Sequence, residues 1–180
     1  MIYAYIAGGV VLVLALLVSV LYAVGRGLPA DHVVTATLHL QKSEEQTYAL
    51  LHDIASWSKW DTGITKMVVL EPAHGRPRVR MHMGRNSFVL TLAKEHAPSM
   101  LSLEAVDDHK FFEGRWDYHL SREGQGVKVK LTEYGKVLPP IPRVMMRLGV
   151  DPAMYLKRHL TQVARHFGED PKITDAAKVG

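Results

Sequence analysis

The stretch "FEGRWDYHLSREGQGVKVKLTEYG", residues 112–135, alternates on both sides of a glycine-bounded turn. Phe112, Gly114, Trp116, Tyr118 and Leu120 share one parity, and Glu113, Arg115, Asp117 and His119 share the other. After "GQG" (124–126), Val127, Val129 and Leu131 take one face while Lys128 and Lys130 take the opposite one. Successive side chains of a strand point to opposite faces, so this pattern specifies two antiparallel strands with one apolar and one wet side. Glu133 is the only acid that keeps the inward parity of its strand. A buried carboxylate needs a partner or a raised pKa. Either Arg115, Arg143 or Arg147 pairs with it, or it orients a ligand. Tyr118 is the other inward polar group, and a buried phenol also wants a partner.

The same reading extends in both directions along the chain. "HVVTATLHL" (32–40) is a first strand, and further strands are expected near 64–72, 77–84, 87–96, 100–107, 111–122 and 127–137. Val79, Met81 and Met83 face inward on the third, against Arg78, Arg80 and His82. Gly75, "GRN" (84–86), "APS" (97–99) and "DDH" (107–109) supply the turns. "SEEQ" (43–46) is a capping box that opens a short helix to about Ile54. "LPPIP" (138–142) ends the strands, and a long helical period from about Pro142 to Phe167 places Leu156, Leu160, Val163 and Phe167 on one stripe. The order is strand, two short helices, six strands and a long helix. That order gives an α+β fold, with an antiparallel sheet of about seven strands covered on one face.

Two of the three tryptophans fall in "HDIASWSKWDTGI" (52–64), a second and poorer helical turn. Trp57 and Trp60, three residues apart, share one side of that turn. Asp53 and Asp61 beside them suit cap and turn positions better than catalysis. The chain has no cysteine, and no nucleophile elbow, phosphate-binding glycine loop or HExxH motif. Its ten histidines are scattered, with His159 and His166 two turns apart on the last helix. No metal and no cofactor is expected. The net charge of +4 is spread without a basic run interleaved with aromatics, so nucleic acid is not an expected partner.

The N-terminus reads differently from the rest. From Ile2 to Val24 there is no charge, and at about 1.5 Å per residue such a helix spans the roughly 30 Å hydrocarbon layer. Tyr3, Tyr5 and Tyr22 lie near its ends, where amphipathic rings favour the headgroups. A cleaved signal would carry a basic start and a shorter apolar run, and "AVG" (23–25) is a mediocre cleavage site. The expected organisation is a transmembrane anchor (1–25), a linker (26–31), one domain (32–168) and a flexible polar tail (169–180). Arg26 beyond the run leans the domain towards the cytoplasm.

Three segments together resemble the START-like, or SRPBCC, superfamily, which includes polyketide cyclase/dehydrase-type and lipid-transfer domains. They are "SEEQTYALLHDIASWSKWDTGI", the hairpin of 112–135 and "MYLKRHLTQV" in the last helix. The resemblance implies a helix-grip fold, a curved sheet wrapped on the long C-terminal helix. It also implies that the two short helices form a V sealing one end of a cavity. The cavity wall is then expected from Trp60, Met81, Met83, Leu90, Leu103, Trp116, Tyr118 and Glu133. Three functions follow as alternatives. The first is a membrane-anchored binder of a lipid or other hydrophobic small molecule. The second is a cyclase/dehydrase-type enzyme on an apolar substrate. The third is a non-catalytic module with a vestigial cavity. No convincing acid–base pair supports the enzyme, and the anchor favours the binder.

Overall fold

Strands joined by hairpin-length turns pair most readily with their sequence neighbours, and six strands here do so without a crossover. They are β2 (Lys66–Ala73), β3 (Arg76–Met83), β4 (Asn86–His96), β5 (Met100–Asp107), β6 (Phe112–Glu123) and β7 (Gly126–Val137), all antiparallel. β1 (Asp31–Leu40) returns to pair with β7, and β8 (Lys172–Lys178) pairs with the far side of β1. The sheet order is β2-β3-β4-β5-β6-β7-β1-β8. The remaining elements are α1 (Ile2–Gly27), α2 (Glu44–His52), a 3-10 helix (Ile54–Lys59), α3 (Pro140–Arg147) and α4 (Met154–His166). The computed structural model describes residues 2–147, 151 and 153–178.

Register follows the alternation. Trp116 lies directly opposite Glu133, Tyr118 opposite Leu131 and Leu120 opposite Val129, so these side chains share one face. The same face runs through Leu101 and Leu103 of β5, Leu90 of β4, and Val79 and Met81 of β3, all buried. α2 lays Tyr48 and Leu51 on it, the 3-10 helix adds Ile54 and Trp57, and α4 adds Leu156, Leu160 and Val163. The outer face stays polar. There Ser102 donates to Asp117 at 2.6 Å, Arg115 pairs with Asp117 at 3.0 Å, and the Thr35 and Thr132 hydroxyls bond at 3.1 Å. Those bonds explain why Asp117 and Thr132 are buried on the wet side.

The short helices form for local reasons. Ser43 Oγ accepts the Gln46 N–H at 3.2 Å and Gln46 Oε1 accepts the Ser43 N–H at 3.3 Å, so the expected capping box closes the start of α2. The tryptophan stretch winds as a 3-10 rather than an α-helix. Trp57 is nearly inaccessible (1 %), and its indole N–H donates to the Leu51 carbonyl at 3.1 Å.

Three expectations need correction. The sheet has eight strands rather than about seven. The period read as one long helix from 142 to 167 holds two, α3 and α4. Gly149 and Pro152 stand in the sequence between them, and proline removes a helical donor and crowds the preceding turn. Residues 148–150 and 152 of that period lie outside the described residues. The apolar stripe holds within α4, where Leu156, Leu160 and Val163 are buried and Phe167 packs against them. Finally, part of the polar tail is paired, since Lys172–Lys178 forms β8. An edge strand needs little apolar content. Here Ile173 packs on the core, and the backbone pairs with the open side of β1.

Trp57 is the largest fully buried side chain. Trp57→Ala should lower stability by about 3–5 kcal/mol in urea denaturation, as large-to-small core changes do. A loss below about 1 kcal/mol would show that the 3-10 helix does not seal the core.

Candidate functional site

The inner face of the sheet is an apolar wall with two polar clusters set into it. The first surrounds Glu133. Its Oε2 accepts the Trp116 indole N–H at 2.7 Å, and its Oε1 lies 2.9 Å from His32 Nε2. An ionised carboxylate only accepts, so with Glu133 ionised His32 donates from Nε2. The imidazole sits directly over Gly135, where a Cβ would collide with the ring, and tilts against Phe112 at 6.2 Å. His32 Nδ1 is buried without a partner.

None of the expected arginines reaches this carboxylate. Arg115 is on the outer face, paired with Asp117 and lying over the Tyr134 ring at 4.6 Å. Arg143 donates to the carbonyls of Val137, Leu138 and Leu28. Arg147 is exposed. The partner is a histidine from β1, on the strand next to Glu133. It was legible in principle, because His32 shares the inward parity of Val34, Ala36, Leu38 and Leu40.

The second cluster joins three elements. The Tyr118 hydroxyl of β6 lies 3.1 Å from His159 Nε2 of α4, and His159 Nδ1 lies 2.8 Å from Asp61 Oδ2. Asp61 Oδ1 also accepts the Gly63 N–H at 2.8 Å. Asp61 is therefore a turn residue, as its position suggested, and also the end of a buried relay. With Asp61 ionised, His159 donates from Nδ1. Its Nε2 then accepts from the Tyr118 hydroxyl when the ring is neutral. Burial first, and then the charges of Asp61 and Glu133, push the Tyr118 phenol well above its ordinary range. Trp57 and Trp60 lie against the His159 ring at 4.8 and 5.4 Å. His159 was also legible, being three residues from Leu156 and next to Leu160 on the inner stripe. Asp53 closes α2 through its backbone and makes no side-chain bond to the 3-10 helix.

All eight expected wall residues lie on or against this inner face, and none of them lines either of the two hollows found among the described residues. Met81, Leu90, Leu103 and Tyr118 are fully packed, Glu133 is buried, and Trp60, Met83 and Trp116 are half-buried. Phe88 and Phe112 join Met83 and Trp116 in the half-buried group. Two hollows lie elsewhere. One of about 60 Å³ sits beside His32, Arg143 and Met146, room for about two waters. The other is a groove of about 610 Å³ between the end of α2, the 3-10 helix and the β2–β3 edge, lined by residues including Ile54, Val69, Leu70, Pro77 and Val79. Among the described residues no three His, Asp or Glu side chains converge as a metal site requires.

A family model described as "Polyketide cyclase / dehydrase and lipid transport" matches residues 31–168. No curated protein matches the sequence. Among solved structures, a START superfamily protein from Mycobacterium smegmatis superposes with TM-score 0.60 at 16% identity, covering 76% of this chain and 96% of that one. The Zhui aromatase/cyclase from a Streptomyces species gives 0.61 at 14% identity, over 74% and 91% of the two chains. A conserved protein from Geobacillus kaustophilus gives 0.61 at 10%, over 79% and 99%. At these identities the likeness establishes the START-like fold.

The Tyr118 relay has a titration signature. Tyr48 is also raised, to about 12, by burial and by the bond and charge of Glu95. A phenol with its folded pKa above its unfolded value stabilises the fold fully below about pH 10, and that contribution is lost as pH rises through the folded value. Spectrophotometric titration should therefore show two tyrosines lagging behind the exposed ones, and Tyr118→Phe should remove one of the two. Simultaneous ionisation of all tyrosines near pH 10 in folded protein would contradict the buried relay.

Proposed function

The chain belongs to the polyketide cyclase/dehydrase and lipid transport family, and from that premise we propose that it is a membrane-anchored binder of a hydrophobic small molecule. The ligand, a lipid or a molecule that partitions with lipid, is held between the sheet and α4. The observation that carries this reading is the buried Glu133 carboxylate, which lies opposite Trp116 and accepts its indole N–H on the same inner face that carries Tyr118. Ligand pockets are mostly apolar, with a few placed polar groups that fix orientation. Trp60, Met81, Met83, Leu90, Leu103 and Trp116 supply the apolar wall, and Tyr118 and Glu133 supply the orienting groups. A ligand enters between the helices and the sheet at the half-buried rim of Met83, Phe88, Phe112 and Trp116.

Several features support the anchor. Tyr5–Gly27 is long and apolar enough to cross a membrane, and the domain leaves its most apolar stretch uncovered, unlike a core helix. Cleavage at residues 23–25 would cut α1 where Gly25 packs tightly on Pro140. The arrangement is single-pass, and Arg26 at the end of the helix favours a cytoplasmic domain.

A second reading, cyclase/dehydrase-type acid–base chemistry, is favoured by one observation. The Asp61–His159–Tyr118 relay could hold and move a proton at the phenol oxygen. In that case Tyr118→Phe should abolish turnover of an apolar polyketide-like substrate while leaving its binding intact. Under the binding reading the same change merely shifts affinity.

Native mass spectrometry of residues 28–180 and titration with an anilinonaphthalene dye test the main reading. We expect a copurifying apolar adduct, or dye bound at one site per chain with micromolar affinity. Ala105 is fully buried on the inner face opposite Leu90, so Ala105→Trp should fill the space and abolish binding while the circular dichroism spectrum survives. Wild type that binds nothing, together with an unfolded Ala105→Trp, would mean that the interior is simply a packed core.

A further inference from the structure

The end of the domain nearest α1 carries features that ligand binding does not require. α1 is fastened there rather than loosely tethered. A Cβ on Gly25 would collide with the Pro140 carbonyl at the start of α3, Arg143 Nη1 donates to the Leu28 carbonyl at 3.3 Å, and the Val137 N–H donates to the Ala30 carbonyl at 2.9 Å. Gly25 lies within the apolar run Tyr5–Gly27. Two residues of helix amount to about 3 Å, so α3 begins level with the last turn of the span. An element in that position sits at the depth of the lipid headgroups.

The surface fits that depth. α3 buries Val144 towards the domain and leaves Met145 (53 %) and Arg147 exposed. Beside it the β5–β6 loop presents Phe111 at 54 % exposure, flanked by His109 and Lys110. The loop is built rather than slack. The buried Asp107 carboxylate accepts the N–H groups of His109 and Phe111, and Lys110 takes a left-handed conformation with φ 56°. The Leu138 N–H donates to the Phe111 carbonyl at 2.9 Å, which ties the loop to the segment leading into α3. A Phe and a Met in water at one end of a domain are costly, and Arg26, Lys110 and Arg147 surround them. Of the acids at this end Asp31 is exposed, Asp108 is paired with Arg80 at 3.0 Å, and Glu113 is paired with Lys136 at 3.4 Å. Amphipathic anchors with basic flanks suit an anionic bilayer surface.

We propose that Phe111 and the exposed side of α3 dock on the bilayer around the base of α1, with Lys110 and Arg147 on anionic headgroups. The proposal rests on the anchor reading above. It adds a fixed orientation, in which the rim residue Phe112, next to Phe111, faces the lipid surface. A hydrophobic ligand then passes from bilayer to interior without crossing bulk water.

The chain has no cysteine, so single labels can be placed cleanly. We would attach bimane to Phe111→Cys, Lys110→Cys and Met145→Cys, with Val69→Cys on the β2 edge and Val13→Cys in α1 as references. All five positions are exposed, so folding should be unaffected. Full-length protein would be placed in nanodiscs of phosphatidylcholine and phosphatidylglycerol. Expected at 110, 111 and 145 is several-fold stronger quenching by headgroup nitroxide lipid than at 69, with protection from aqueous iodide at 111 and 145. Position 13 should respond to nitroxide on the acyl chains. If 110, 111 and 145 behave like 69 while 13 reports lipid, docking is wrong and the anchor stands. If 13 does not report lipid, the anchor fails and docking fails with it. Shielding of 111 and 145 from both quenchers would place protein there, such as a second copy, and would also overturn the proposal.

Discussion

Three parts of the chain that are distant in sequence meet on one imidazole. His159 brings α4 to the turn after the 3-10 helix through Asp61, and to the sheet through Tyr118. A buried carboxylate is stable only if its bonds replace water. Asp61 has two such bonds, to the Gly63 N–H and to His159. Leaving such a group without its partner costs on the order of 3–5 kcal/mol, so the three elements are held in one relative placement. Trp57 and Trp60 pack against the same ring and exclude water from it. The placement of the 3-10 helix and of α4 against the sheet depends on this joint.

The Glu133 cluster imposes a matching constraint further along the inner face. Glu133 needs donors, and Trp116 and His32 supply them. Placing the His32 ring on β7 leaves no room for a side chain at residue 135, which is why glycine stands there. Polar groups fixed inside an apolar wall add less to stability than well-packed hydrocarbon would. In the function proposed above, they define where a ligand's own polar atom is satisfied. The end of the domain that carries α1 lies on the same side as the Glu133 cluster, through His32 and Pro29–Asp31.

Much of this was legible in the sequence because strand alternation has a period of two and tolerates few errors. The β6–β7 pattern set the parity of Trp116, Tyr118, Leu131 and Glu133, and the observed register matches it. Ser43 and Gln46 marked the start of α2 through the chemistry of the cap itself. What failed was partner choice. Charge counting favoured arginines for Glu133, whereas the sheet order puts β1 beside β7 and so delivers His32. Asp61 looked like a turn residue because its nearest bond is local, and its bond to α4 spans 98 positions that no short motif records. β8 was missed because an edge strand paired through its backbone carries almost no apolar signal.

The function proposed here depends on whether the inner face, rather than the outside, takes up apolar molecules. Methionine methyl resonances of residues 28–180 answer this directly, since Met81 is buried on the inner face and Met83 sits at its rim, whereas Met145 and Met154 are exposed. On titration with a long-chain fatty acid, the Met81 and Met83 methyls should shift and saturate at one equivalent while Met145 and Met154 hold still. Shifts at Met145 and Met154 with Met81 and Met83 unmoved would mean surface adsorption on a solid core, and would contradict the account.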